Sequence, residues 1–399
     1  MSRDSLDALA DRSGLPALLA ALGAGEARFV GGVVRDVLLG VAANDIDLAT
    51  VLSPYEVMRR LGAAGIKTVP TGIAHGTVTA ISEGRPVEIT TLRTDVDTDG
   101  RRASVAFTDD WHSDAARRDF TVNAMYWDPA GKALFDPFGG EADLAAGHIR
   151  FIGDPLVRIA EDHLRILRFF RFTARFAKGG PDPDGLAACM ARANDLMALS
   201  RERIAWELIN LLSLPVPSAT VALMIDHGIL LPVLPEIERA AVPRLDALIV
   251  AERMAEIVPD AIRRLAALLP ADVAMAEKVA ARLKLSKRQR KQLALAAHRD
   301  LDERPTALAY RIGVGSAQDR LLLANRPADA AALTGWVAPH LPIGGGALIK
   351  RGIVPGPGVA RTLRAIEDRW VSEDFLAGAR FEVLVDEALV AAGGRSPRT

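Results

Sequence analysis

Residues 28–50 read RFVGGVVRDVLLGVAANDIDLAT, and the last part of that run, Asp45-Ile46-Asp47, decides how the fold is read. Side chains on a strand alternate with a period of two, so Asp45 and Asp47 project from one face. Two adjacent carboxylates repel each other unless a cation lies between them, and oxygen ligands of this kind suit hard divalent ions such as Mg²⁺. Upstream, Phe29-Val30 reads as a strand that stops at Gly31-Gly32, with a helix beginning near Val33. A glycine pair at such a junction lets backbone N–H groups approach a phosphate. Arg35, one turn in, adds a forked donor. A phosphate cradle followed by a metal pair is the order that phosphoryl transfer requires. Singly, Gly-Gly is also an ordinary turn and Asp-x-Asp also a solvated strand end or a helix cap; their order carries the reading.

The 399 residues should hold two or more domains with substantial cores. Hydrophobic residues make up 50% and charged residues 25%, the balance of an ordinary soluble protein. No uncharged apolar run reaches the roughly 18 residues of a membrane span. The opening MSRDSLDALADRSG lacks the apolar core of a signal peptide. One cysteine, Cys189, excludes an intramolecular disulfide and a cysteine-based zinc cluster, and a cytoplasmic location is expected. The net charge of −1 argues against a nucleic-acid partner, but averages conceal patches. Residues 282–291 carry Arg282, Lys284, Lys287, Arg288, Arg290 and Lys291 with no acid among them. A second basic region, from Lys350 and Arg351 to Arg361 and Arg364, surrounds the turn-rich GIVPGPG. Each is either a solvated helix end or a local, salt-sensitive contact with phosphates.

Along the chain, residues 1–25 read as an amphipathic lead-in helix. Residues 26–150 are strand-rich (ARFVGG, NDIDLAT, GTVTAIS, RPVEITTLR, TVNAMYWD, ALFD), with 95–116 reading as a long mobile loop. After 150, Ala/Leu/Arg-rich segments with helical periodicity continue to the C-terminus. Pro181-Asp182-Pro183-Asp184 separates two helices, and Pro215 and Pro217 mark another boundary. The expected fold class is α+β: a mixed-sheet head over 26–150, then an elongated all-α remainder divided at 151–217 and 218–399.

Three further segments carry chemistry. Glu88 alternates with Val87 and Ile89 and can join Asp45 and Asp47 from an adjacent strand as a third acid; it reads equally as a partly exposed strand Glu. Arg117-Arg118 lies between a loop and an apolar element, where a triphosphate clamp fits. The segment Glu161–Phe172 reads as one helix, apolar nearly all round, on which Asp162, Arg165, Arg168 and Arg171 form a slow spiral. Asp162 can satisfy one of these arginines; the others await a ligand, or else the set is a structural ion-pair network. An Asp–Arg pair offers an acceptor beside donors, which matches the amino and ring-nitrogen edge of cytosine or adenine and mismatches uracil and guanine.

These residues together resemble the class II tRNA nucleotidyltransferases, the CCA-adding enzymes, which share a polymerase-beta-type head with bacterial poly(A) polymerases. The resemblance rests on Gly31-Gly32-x-x-Arg35-Asp36, Asp45-x-Asp47, Arg117-Arg118-Asp119-Phe120-Thr121, Asp136-Pro137-Phe138-Gly139-Gly140 to Asp143-Leu144, Glu161-Asp162-x-x-Arg165, and Arg201 to Glu207. It implies a head, neck, body and tail, with residues 218–399 gripping the acceptor stem of tRNA. It implies that Gly32 and Arg35 bind the incoming triphosphate, that Asp45 and Asp47 hold Mg²⁺, and that Arg118 contacts the nucleotide. Asp162, Arg165, Arg168 and Arg171 become an amino-acid template for CTP and then ATP. The loop with Asp99-Gly100-Arg101-Arg102 corresponds to the element that helps switch from C to A addition. The partners implied are the tRNA 3′ end, CTP and ATP, with neither a membrane nor an obligate protein partner evident. Three other readings are weighed: poly(A) synthesis, partial CC- or A-addition, and nucleotidyl transfer to a small molecule. A fourth is a non-catalytic RNA-binding protein. No basic Gly-Arg-Arg-type segment follows the metal strand, which separates the chain from bacterial poly(A) polymerases.

Overall fold

The computed structural model describes residues 4–43, 45–98 and 103–392. Two compact units emerge, Met1–Leu211 with Ala219–Pro235, and Leu212–Ser218 with Glu236–Thr399. The first unit is built on a mixed sheet and the second is helical.

The strands run β1 Ala27–Val30, β2 Ile46–Thr50, β3 Lys67–Gly72, β4 Thr77–Ser82, β5 Arg85–Thr91, β6 Arg93–Thr98, β7 Ala103–Phe107, β8 Tyr126–Asp128 and β9 Ala133–Phe135. Among the described residues, seven form one sheet in the order β3-β4-β5-β2-β1-β8-β9. Only the β2–β5 pair in it is parallel. The period-two pattern is visible in β5, where Val87, Ile89 and Thr91 are buried while Pro86 and Glu88 are exposed and Thr90 is half-buried. β2 sits in mid-sheet and buries Ile46, Leu48, Ala49 and Thr50. The helix Gly32–Leu38 follows β1 directly and buries Val33, Val34, Val37 and Leu38.

Three sequence expectations change. The lead-in is two helices, Asp4–Ala10 and Leu15–Leu22, because Gly14 takes a left-handed φ of 84° and Pro16 starts the second; Leu6, Leu9, Leu18 and Leu22 are fully buried. The described residues of 95–116 are not a long loop. β6 and β7 pair as a two-stranded antiparallel hairpin, and the helix Trp111–Ala116 follows, capped by Asp110. The ladder satisfies the backbone of this polar stretch, and Asp110 accepts from the N–H groups of His112 and Ser113. Asp99-Gly100-Arg101-Arg102, the segment expected to act in the switch from C to A addition, lies outside the described residues. Lastly, Glu161–Phe172 is not one helix: Pro155–Glu161 ends at Asp162, whose φ and ψ of −150° and 105° are extended, and Arg165–Phe176 begins afresh.

The Pro181–Asp184 break is as expected, with Asp182 capping Pro183–Ala191 by accepting from Gly185 N at 2.8 Å. In the second unit, Val242–Met254, Pro305–Ile312 and Val314–Leu323 share a core around Leu248, Leu308, Leu321 and Leu322. Pro357–Ser372 and Ala379–Ala391 share another around Ile366, Trp370, Phe381 and Leu384.

Candidate active site

β2 and β5 run side by side in parallel, and their register sets Asp47 directly beside Glu88. Both residues line a cavity of about 460 Å³ in the first unit. Gly31, Gly32, Arg35, Arg118 and Arg168 also border it, with Arg117, Asp119 and Asn123. Burial and the neighbouring Glu88 charge push the Asp47 carboxyl up to about 6, with Arg118 opposing and Asp45 adding to the shift. Asp45 lies one residue before β2 and is exposed; it acts on Asp47 electrostatically and is not among the cavity-lining residues. Among the described residues, no three acids converge into a ready-made ligand cage.

Gly31 cannot be another residue without cost. Its φ is 70°, and a Cβ there would stand 3.3 Å from Arg118 Nη1. Arg35 is 5% exposed, lies over the rings of Phe172 and Phe176, and donates from Nη1 to Asn123 Oδ1 at 2.6 Å. Its Nε donates to Asp36 at 2.8 Å. Burial lowers its pKa, with Asp36 working against that shift.

Arg118 is oriented by two groups that sequence reading did not single out. Its Nε donates to Tyr126 Oη at 2.9 Å and its Nη2 to Asp114 Oδ2 at 3.1 Å, while Tyr126 donates to the same Asp114 oxygen at 2.6 Å. Asp114 is 1% exposed and also accepts from Arg117 at 2.8 and 2.9 Å. Burial opposes its ionisation, but the Arg118 and Arg117 charges and the Tyr126 bond outweigh it, and the carboxyl falls to about 2. The spacing Asp114-x-x-Arg117-Arg118, which stacks an acid against two bases on a helical turn, was the available signal.

Each arginine of Arg165–Phe176 has a protein acceptor. Arg165 donates to Glu161 Oε2 at 2.6 Å and to the carbonyls of Arg158 and Arg117. Arg168 donates from Nε to Asp119 Oδ2 at 2.7 Å, and Arg171 from Nε to Glu207 Oε2 at 2.5 Å. Glu207 is 1% exposed on Arg201–Leu212. A charged side chain this deep among apolar residues must be paired, and Asp119 and Glu207 supply the pairing. Asp162 is not paired with Arg165. One of its oxygens accepts from Leu164 N at 3.1 Å and the other from Arg203 Nη2 at 2.7 Å. Of the four, Arg168 alone borders the cavity.

In the second unit, the basic run spans the end of Val273–Arg282 and the start of Lys287–Ala297. Arg282 pairs with Glu236, Arg290 with Glu277 at 2.9 Å, and Arg351 with Glu382 at 2.8 Å. Lys284, Lys287, Arg288, Lys291 and Lys350 are exposed.

The mixed sheet with an acid pair beside a ring of arginines defines a polymerase-beta-type nucleotidyltransferase head. Residues 27–150 match the family described as the poly A polymerase head domain, and residues 181–241 match the probable RNA and SrmB-binding site of polymerase A. These two stretches carry the head and RNA-binding regions of the poly(A) polymerase family, and the relatives found are CCA-adding enzymes. Nucleotidyltransferases of this family generally use divalent metals. The chain is 47% identical over 190 residues to the human CCA tRNA nucleotidyltransferase 1, mitochondrial, a stretch covering 47% of this chain and 44% of that protein. It is 39% identical over 208 residues to the CCA-adding enzyme of Geobacillus sp. (strain WCH70), covering 52% and 50%. The match thus spans about half the length of these curated relatives. The Bacillus stearothermophilus CCA-adding enzyme in complex with CTP superposes with a TM-score of 0.75 at 27% identity, covering 98% of this chain and 100% of that one. The Thermotoga maritima CCA-adding enzyme complexed with tRNA shares the fold, with a TM-score of 0.66 at 21% identity over 92% and 91% of the two chains.

Proposed function

We propose that this protein adds C, C and A to the 3′ end of tRNA from CTP and ATP, without a nucleic-acid template and with release of pyrophosphate. The observation that carries the reading is the in-register pair Asp47–Glu88 at a cavity also bordered by Arg35, Arg118 and Arg168. Acids to hold a cation and arginines to hold a triphosphate meet there in one space of nucleotide size. The names of the relatives and the CTP complex of the Bacillus stearothermophilus enzyme point the same way.

The donor set fits Mg²⁺. A carboxyl raised by burial and by its acidic neighbour is one whose ionised form a divalent cation favours. Mg²⁺ typically takes one or two carboxylates together with substrate phosphates rather than a complete protein cage. Asp45 and Asp47 hold the metal in this reading, with Glu88 as a third acid. A metal held there would supply Lewis-acid activation of the terminal 3′-hydroxyl and neutralise charge on the departing pyrophosphate. Gly31 and Gly32 leave room for the triphosphate, while Arg35 and Arg118 neutralise it, held in place by Asn123 and by Asp114 with Tyr126. Asp162, Arg165, Arg168 and Arg171 select the base, which requires Arg168 or Asp162 to exchange Asp119 or Arg203 for the base edge. Residues 151–217 serve as the neck, and 218–399 as the body and tail that hold the tRNA. A cytoplasmic site of action belongs to the same reading; no described helix is long and apolar enough to cross a membrane.

Purified protein with Mg²⁺, labelled CTP and ATP, and tRNA lacking its last three nucleotides tests the proposal. Three added nucleotides are expected. A long A-only product means poly(A) synthesis, a product halting after two C residues means partial addition, and no product means a binding module.

A further inference from the structure

The sheet face that carries Asp47 continues past the acids. β5 pairs with β2 on one side and with β4 on the other, and residues paired across strands share a face. One row of that face reads Asp47, Glu88, Thr79 and Val69 across β2, β5, β4 and β3. The next row reads Ala49, Thr90, Thr77 and Gly72. Ala49 is covered by the core, and Gly72 adds no side chain. Between them, Thr90 and Thr77 are half-buried and border the same cavity as Asp47 and Glu88. Their hydroxyls meet at 3.1 Å, and either can be the donor. That bond spends the proton of one hydroxyl, so the pair keeps a donor and acceptor lone pairs for a third group.

Sheet order limits what that third group can be. The proposed triphosphate ligands lie toward β1 and β8: Gly31, Gly32 and Arg35 follow β1, and Arg118 is tied to Tyr126 of β8. The acids hold the middle, around β2 and β5, and the hydroxyl pair lies on β5 and β4, on the opposite side. In an in-line displacement the attacking and leaving oxygens stand on opposite sides of the transferred phosphorus. With pyrophosphate leaving toward Arg35 and Arg118, the attacking hydroxyl comes from the β5–β4 side. It belongs to the last ribose of the RNA, whose neighbouring 2′-hydroxyl is both donor and acceptor.

We propose that Thr90 and Thr77 hold the terminal ribose of the acceptor RNA through its 2′-hydroxyl, positioning the adjacent 3′-hydroxyl for attack. The inference rests on the reading of this cavity as a nucleotidyl-transfer site, and it adds the place of the acceptor within it.

Single CMP addition by the full-length protein tests this with two acceptors. One is tRNA lacking its CCA end; the other is the same RNA with a 2′-deoxyribose as its last sugar and the 3′-hydroxyl kept. Wild type should lose roughly fivefold to tenfold in kcat/KM on the deoxy acceptor, the worth of a hydrogen bond. Thr90→Val and Thr77→Val keep the β-branched shape that strands favour, so both should fold. Each should lose a similar factor on the ribose acceptor and little more on the deoxy one, because the two losses are one contact. KM for CTP should stay within about twofold. Thr90→Ser should restore the preference for ribose. Thr71→Val breaks another hydroxyl pair, with Thr79 at 2.8 Å and outside the cavity lining, and should change nothing. Valine variants that keep the wild-type preference, or a wild type that has none, overturn the proposal. A raised KM for CTP with the preference intact assigns the hydroxyls to the incoming nucleotide and overturns it too. Wild-type protein that extends neither acceptor removes the proposed function instead.

Discussion

Arg168 donates from Nε to Asp119 Oδ2 at 2.7 Å, and this bond is one link in a chain that reaches across the candidate active site. The other Asp119 oxygen accepts from Asn123 Nδ2 at 3.0 Å, and Asn123 Oδ1 accepts from Arg35 Nη1 at 2.6 Å. The proposed phosphate ligand and the proposed base reader therefore share one buried carboxylate. Burial alone would favour the neutral acid, but Arg168 and Asn123 hold Asp119 ionised below its ordinary range. Asp119→Ala should cost about 2 kcal/mol of stability, since it strands a mostly buried guanidinium and two amide donors. Urea unfolding reads that loss. Asp119→Asn should cost less, because an amide oxygen still accepts from Arg168.

Gly31→Ala tests the turn between β1 and the helix that follows it. A φ of 70° disfavours any side chain, and the new methyl would press on Arg118 Nη1. About 1–2 kcal/mol of destabilisation is expected. The apparent KM for CTP should rise more than kcat falls, because the displaced group is a proposed triphosphate ligand. A fall in kcat alone would mean that Arg118 acts elsewhere.

Much of this site is legible in the amino-acid sequence. The strand–Gly-Gly–helix unit, the strand carrying Asp47 and the place of Glu88 beside it all follow from period-two alternation in short segments. The failures share a physical cause. Asp162 looked helical because its neighbours are good helix formers, yet its carboxylate competes for the backbone by accepting from Leu164 N, which stops one helix and starts another. Residues 95–116 looked like a loop because polar side chains mask a ladder that only the partner strand reveals. Asp114, Tyr126, Asn123 and Glu207 work through contacts distant in sequence, and periodicity carries no record of those.

Asp114 gives a pH signature with a fixed sign. Its carboxyl titrates near 2 in the folded protein, below the ordinary value of 3.8. Its stabilisation is therefore full above the unfolded value and is lost as pH falls toward 2. Asp114→Asn should be less stable than wild type at neutral pH, and the gap should close between about pH 4 and pH 2. A gap that stays constant in urea melts over that range would show that the ionised form contributes nothing.

Asp47 and Asp45 separate catalysis from folding. Asp47 is half-buried beside Glu88, so Asp47→Asn removes a repulsion, and metal-free stability should hold or rise. CTP incorporation should nevertheless fall roughly a hundredfold or more, with tRNA binding nearly intact. Asp45 is exposed, and Asp45→Ala should leave stability within about 0.5 kcal/mol while also losing incorporation. Joint loss of binding and activity would make the pair structural.

Asp162→Ala asks whether base choice resides at the break between the two helices. The ion pair it removes, with Arg203, has side chains 34% and 48% exposed, and the local bond to Leu164 N is a cap-like contact. Together these are worth no more than about 1 kcal/mol of stability. Folding is thus expected to survive, and a change in nucleotide choice can be read directly. Competition between CTP or ATP and UTP or GTP should show selection blurred more than the rate is slowed, because no carboxylate acceptor then faces the carbonyl of the wrong ring to penalise it. Arg203→Ala, which frees Asp162 from its ion pair, should leave selection intact. Unaltered preference in Asp162→Ala would place discrimination on Arg168 alone, the one member of the four that borders the cavity.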